Sequence, residues 1–211
     1  MTENTMKILH YVTGPIQVNT YVAFDEETRK AFIVDPGGYD KRITEKIREM
    51  ELDPEYIILT HGHGDHIGGV EGFRRDFPGI RVVANKNEDM LLDSRLNDSR
   101  SLFGRDIVVN VDKWVDDFDT MKIGNMELLF IYTPGHTKGG MCILTEGHLF
   151  SGDTLFRYSI GRTDFYGGSW PQLERSIKTK LYTLPDETVV LPGHMGFTTI
   201  GDEKKGNPFV R

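Results

Sequence analysis

Tyr56-Ile57-Ile58-Leu59-Thr60-His61-Gly62-His63-Gly64-Asp65-His66 joins a short apolar run to four metal-competent side chains within six residues. The run Tyr56–Thr60 predicts a buried strand. The His61–His66 segment therefore falls where a strand hands over to a loop, a favoured place for active sites in α/β folds. In extended backbone, side chains two apart point the same way, so His61 and His63 can grip one ion together. Asp65 and His66 are adjacent and diverge from that direction, which leaves at least one for a second ion. Gly62 and Gly64 let the chain turn without blocking access. A lone histidine is commonly a packed or surface residue, but four ligand groups at this spacing point to a metal site.

Three later segments repeat the strand-to-loop setting: Tyr132-Thr133-Pro134-Gly135-His136, Phe150-Ser151-Gly152-Asp153 and Val190-Leu191-Pro192-Gly193-His194. Each turn is commonplace alone. With the first cluster they supply five histidines and two aspartates, the number two ions need if one carboxylate bridges. Imidazole and carboxylate suit zinc, iron or manganese. Cys142, the single cysteine, excludes an intramolecular disulfide and reads as a small buried hydrophobe. His10, on an early strand, and His148, beside a glycine turn, read as structural.

Strands are expected at Lys7–Thr13, Asn19–Phe24, Ala31–Val34, Tyr56–Thr60, Ile80–Ala84, Met126–Tyr132, Met141–Thr145, His148–Ser151 and Val189–Leu191. Helices are expected at Asp40–Met50, with Ile43 and Ile47 four apart, and at His66–Phe77, Asn85–Ser94 and Gln172–Leu181. Strands cluster, helices intervene, and strands cluster again, which favours two sheets packed face to face with helices outside. The Asp116-Asp117-Phe118-Asp119 run reads as a solvated turn.

With 211 residues, one domain spanning 1–211 is expected. A net charge of −7 argues against a nucleic-acid or anionic-membrane partner. The longest apolar run, Leu128–Tyr132, is far too short to span a bilayer. Met1–Thr5 lacks the basic-then-apolar pattern of a signal peptide, so a soluble cytoplasmic protein is expected.

The signature H-x-H-x-D-H, then T-P-G-H-T at 133–137, G-D-T-L-F at 152–156 and P-G-H at 192–194 resembles the metallo-β-lactamase superfamily. The resemblance implies an α/β fold, a four-layer αββα sandwich with metals at one edge. It also implies that His61, His63 and His136 hold one ion and Asp65, His66 and His194 the other, with Asp153 bridging. Lactamases proper commonly place a cysteine where Asp153 stands, which argues against antibiotic hydrolysis.

Two divalent ions, zinc foremost, roughly 3.5–4 Å apart can share a water and lower its pKa toward neutrality. Asp65 and Asp153 are then the catalytic carboxylates, and no G-x-S-x-G elbow supplies a rival nucleophile. No general acid is evident, which suits a thiolate leaving group whose parent thiol has a pKa of about 8.5. Ser159-Ile160-Gly161-Arg162-Thr163-Asp164-Phe165 and Thr198-Thr199-Ile200-Gly201 resemble the short glyoxalase II-like hydrolases, which lack the C-terminal helical domain of the full-length enzymes. The resemblance implies cleavage of a small-molecule thioester, S-2-hydroxyacylglutathione, with Arg162 helping to hold the glutathione portion; Tyr158, Tyr166 and Phe197 are candidates to line the pocket, Tyr166 as a substrate-binding residue, with local packing beside the glycines as their competing role. A salt bridge from Arg162 to Asp164 is the competing structural role. The alternatives are a mononuclear-iron persulfide dioxygenase, which would use His61, His136 and Asp153, and a lactonase or other ester hydrolase.

Overall fold

Residues 5–211 are described by the computed structural model; Met1–Asn4, most of the segment read as lacking a signal pattern, lie outside them. Strands β1 (Met6–Thr13), β2 (Val18–Asp25) and β3 (Lys30–Val34) form an antiparallel meander. Helix α1 (Lys41–Glu49) crosses to β4 (Asp53–Ile58), α2 (Gly64–Ile67) and α3 (Val70–Asp76) lead to β5 (Arg81–Asn85), and α4 (Ser99–Phe103) precedes β6 (Lys113–Val115). These last three strands add in parallel, giving the first sheet the order β1-β2-β3-β4-β5-β6.

The second sheet starts with β7 (Thr120–Ile123), β8 (Met126–Tyr132), β9 (Met141–Thr145) and β10 (His148–Gly152). A small hairpin, β11 (Leu155–Phe156) and β12 (Ser159–Ile160), and helix α5 (Trp170–Thr179) follow. Then come β13 (Val189–Pro192), β14 (Thr198–Thr199) and α6 (Ile200–Gly206). The order is β14-β13-β10-β9-β8-β7.

Alternation along the strands builds the layers. Phe32 and Val34 face the second sheet, while Ala31 and Ile33 face the helices with Ile43, Ile47 and Phe73. Phe130 and Phe150 face inward, whereas Ile131 and Leu149 pack under Leu173 and Ile177 of α5. Three apolar interfaces thus separate four layers, the αββα sandwich expected. Phe150 anchors the middle interface, edge-on to Tyr21 at 5.4 Å and to Phe32 at 5.8 Å between ring centroids. Truncating such a ring to alanine costs about 3–5 kcal/mol. Among the described residues no helix is long and apolar enough to cross a membrane.

Two helix expectations are corrected. His66–Phe77 is two helices, because the Gly69 amide donates to the Pro36 carbonyl at 2.8 Å. A β-carbon on Gly69 would lie 2.7 Å from the Gly38 carbonyl, so loop 36–38 fits there only against glycine. Asn85–Ser94 holds one 3₁₀ turn, Asp89–Leu91; Asn85 ends β5 and its Oδ1 accepts from the Asn87 amide at 3.0 Å, closing an Asx turn that diverts the chain. Asp40 caps α1 by accepting from the Arg42 amide, as its type predicts. Residues 116–119 form the expected turn between β6 and β7.

Candidate metal centre

Strand β9 runs antiparallel to both β8 and β10, and β13 is parallel to β10. The C-terminal ends of β8, β10 and β13 therefore open on one edge, carrying His136, Asp153 and His194. The loop after β4 reaches the same edge from the first sheet with His61, His63, Asp65 and His66. All seven expected residues are brought together.

They form two groups. In the first, His136 Nε2 lies 2.9 Å from His63 Nδ1 and 3.3 Å from His61 Nε2. In the second, Asp65 Oδ2 lies 3.2 Å from His194 Nε2 and 3.5 Å from His66 Nε2. Asp153 faces both: its Oδ1 is 3.4 Å from His66 Nε2, and its Oδ2 is 3.6 Å from His136 Nε2 and 3.7 Å from His194 Nε2. A β-carbon on Gly193 would stand 2.4 Å from Asp153 Oδ1, so only glycine lets the aspartate reach across.

The donor set fits divalent cations. Four ligands at about 2.0–2.1 Å from a tetrahedral zinc stand about 3.3 Å from one another, close to the spacings in the first group. His66 Nε2 and Asp153 Oδ1 are buried with no hydrogen-bond partner, an arrangement that a shared cation satisfies. Burial, then the surrounding imidazoles, pushes His61 well below its ordinary pKa. Burial and His136 push His63 down to about 3. Both imidazoles are neutral, the form that ligates. Burial opposes charge on Asp153, yet His66 foremost holds it below the carboxylate range; Asp65 is lowered against burial by His66 and His194. Burial likewise opposes charge on His66, but Asp65, Asp153 and Asp35 outweigh it and raise its pKa well above normal. Three carboxylates thus call for positive charge at this spot, which a cation supplies.

The imidazoles are aimed from behind. His136 Nδ1 donates to the Arg162 carbonyl at 2.7 Å, and His61 Nδ1 contacts Thr60 Oγ1 at 3.1 Å. His66 Nδ1 donates to Asp35 Oδ2 at 2.9 Å. Asn19 Nδ2 donates to the carbonyls of Pro192 at 3.0 Å and Met195 at 2.9 Å, strapping the His194 loop.

Asp35 and Asn19 escaped the sequence reading. Asp35 carried the missed signal: Val34-Asp35-Pro36-Gly37 is a further acidic residue at a strand end beside a Pro-Gly turn. His10 Nε2 donates to Asn19 Oδ1 at 2.8 Å and the ring stacks on Tyr21, a structural role as expected. His148 Nδ1 donates to the Glu146 carbonyl. Cys142 is buried, its thiol pushed up to about 11 by desolvation.

The rim residues are less engaged. Arg162 forks onto Asp164 at 2.9 and 2.7 Å and lies 3.9 Å from the Phe165 ring centroid; only its carbonyl reaches His136. Phe165 stands edge-on to His63, 5.9 Å between centroids. The Tyr166 hydroxyl joins Lys138 and Asp89. Phe197 packs on His10 at 5.1 Å and Tyr158 on Gly206, so neither points into the seven-residue cluster by any contact observed.

A four-layer sandwich with imidazoles and carboxylates meeting at one rim is the architecture of a metal-dependent hydrolase. The chain belongs to the metallo-β-lactamase superfamily, whose family model matches residues 13–194. It is 34% identical over 202 residues to hydroxyacylglutathione hydrolase GloC of Haemophilus influenzae, covering 92% of this chain and 93% of that protein. Among solved structures, BLEG-1 B3 metallo-β-lactamase superposes with a TM-score of 0.89 at 39% identity, over 97% of this chain and 99% of that one. The di-iron-bound form of TTHA1623 superposes with a TM-score of 0.83 at 29% identity, over 96% and 100% of the two chains.

Proposed function

We propose that this chain hydrolyses thioesters of the S-2-hydroxyacylglutathione class, S-lactoylglutathione among them, at a centre of two divalent ions, zinc foremost. His61, His63 and His136 hold one ion, Asp65, His66 and His194 the other, and Asp153 reaches both. The observation that carries this reading is Asp153 itself, with one oxygen toward His66 and the other toward His136. Bound there, two ions supply an activated water near neutral pH and a Lewis acid for the carbonyl.

The chain's own groups supply orientation and proton handling. Asp65, ionised and 3.2 Å from His194 through its Oδ2, can take a proton released by the attacking water. A thiolate leaves without an acid to protonate it. Arg162 has its charge matched by Asp164. Among the described residues Arg157, in the β11–β12 turn, has no such carboxylate partner, and its Nη1 lies 3.8 Å from where a β-carbon on Gly196 would sit, two residues past His194. It is the better placed cation for a carboxylate of the thiol arm, Arg162 being already paired with Asp164. Support for the thioester class comes from the GloC relative and the G-R-T-D-F segment at 161–165.

The deciding experiment is turnover of S-lactoylglutathione by protein of measured metal content, with a β-lactam and a lactone in parallel. Two bound ions without thioester turnover would reject the substrate and retain the centre. A one-iron persulfide dioxygenase is the second reading, favoured by His61, His136 and Asp153 meeting within 3.6 Å at successive contacts. One iron with oxygen uptake on glutathione persulfide would establish it instead.

A further inference from the structure

A buried carboxyl group joins the two loops that carry the three-imidazole group, and the chemistry above makes no use of it. Glu88 is 1% exposed and lies in the turn between β5 and the 3₁₀ segment Asp89–Leu91. Its Oε2 accepts from Thr137 Oγ1 at 2.5 Å, the hydroxyl next to His136. On the other side its Cγ stands 3.3 Å from where a β-carbon on Gly62 would lie, between His61 and His63. Gly139 packs so tightly on Glu88 that a β-carbon there would stand 2.3 Å from Glu88 N and 2.4 Å from its Cα. Burial pushes the carboxyl up to about 7 against the hydroxyl of Thr137. Its Oε1 is buried without a hydrogen-bond partner. An apolar side chain of the same length would fill this space without desolvating a carboxyl, so packing alone does not explain the residue.

We infer that Glu88 is a positioning residue for the ion of the first group: bonded to Thr137 and packed on Gly62, it sets the spacing between the His61–His63 loop and His136. The inference rests on the ligand grouping proposed above. The second group has separate braces, Asp35 on His66 and Asn19 on the His194 loop, so losing Glu88 strikes one ion and spares the other. Partners behind a ligand typically govern about ten- to hundredfold in metal affinity, and Glu88 acts one bond further back, at the lower end of that range.

Zinc affinity is measured by chelator competition in two parents: His194→Ala, where only the first group is complete, and His63→Ala, where only the second is. Glu88→Met and Thr137→Val should each weaken uptake about tenfold in the first parent and leave the second parent's affinity unchanged. In the double variant the losses should not add, because both remove the same bond, and Thr137→Ser should restore affinity. Melting of the metal-free proteins shows that each variant is folded; Thr137→Val carries the test if Glu88→Met is not. Unchanged affinity in the first parent, equal losses in both parents or additive losses would overturn the inference. A His194→Ala parent that takes up no ion while wild type takes up two would refute the grouping itself, and the inference with it.

Discussion

Asp35→Asn tests how the centre is held. Asp35 accepts three hydrogen bonds, from the Thr60 amide at 2.8 Å, the Thr60 hydroxyl at 2.6 Å and His66 Nδ1 at 2.9 Å. Asparagine has the same shape, and its oxygen can serve the Thr60 amide. Its NH2 then occupies the place of Oδ2 and faces Nδ1, which must become an acceptor. The imidazole proton moves to Nε2, the atom aimed at Asp65 and Asp153, where it blocks ligation. Flipping the asparagine instead sets its NH2 against the Thr60 amide and strands a buried donor, at about 1–3 kcal/mol. Zinc affinity of the Asp65–His66–His194 group should fall about ten- to hundredfold, equivalent to about 1.4–2.7 kcal/mol. Chelator competition measures the affinity, and calorimetric melting of the metal-free protein measures the fold. A loss near 2 kcal/mol lowers Tm by about 4–8 °C for a chain of this size. Wild-type zinc affinity in a folded Asp35→Asn protein would refute the tautomer argument.

Asp153→Ala removes the one carboxylate facing both groups; turnover should disappear and bound metal should drop, and full activity with full metal content would contradict the mechanism. Arg157→Gln should raise KM for S-lactoylglutathione with kcat little changed, and leave the S-lactoyl thioester of N-acetylcysteamine, which has no carboxylate, unaffected. Arg162→Gln should do less, since Asp164 already matches that charge; the opposite ranking would move the anion site to Arg162. In metal-free protein, His63 is neutral with its pKa pushed down to about 3. Its contribution to stability is complete above the unfolded value of about 6.5 and fades as pH falls below it. Raised His66 acts the other way, contributing below about 6.5 and losing that as pH climbs through its higher value. Urea midpoints between pH 7 and 4 should therefore decline less steeply for His63→Ala than for wild type, and parallel curves would count against the assignment.

What could be read along the chain were features written in consecutive residues. The strand-to-loop turns at 59–61, 132–136, 150–153 and 190–194 declared themselves through apolar runs stopped by Gly or Pro beside a ligand. Alternating and β-branched runs such as Ala31–Val34 announced strands. The short elements β6, β11, β14 and α4 show no apolar pattern of their own and left no trace. The Gly68–Gly69 break and the Asn85 turn were invisible because their causes, the Pro36 carbonyl and a local side-chain bond, compete with a helix pattern that looks intact.

Ligand types, their order and the presence of two sheets were determined by the sequence alone, because backbone alternation and donor chemistry are local properties. The grouping of the ligands was already implied by the resemblance; that these side chains come together, and that Asp35, Asn19 and Glu88 hold them in place, were decided only in the folded molecule. Those relations join residues 31 to 176 positions apart, and only the parallel run of β8, β10 and β13 beside the β4 loop brings them within bonding distance.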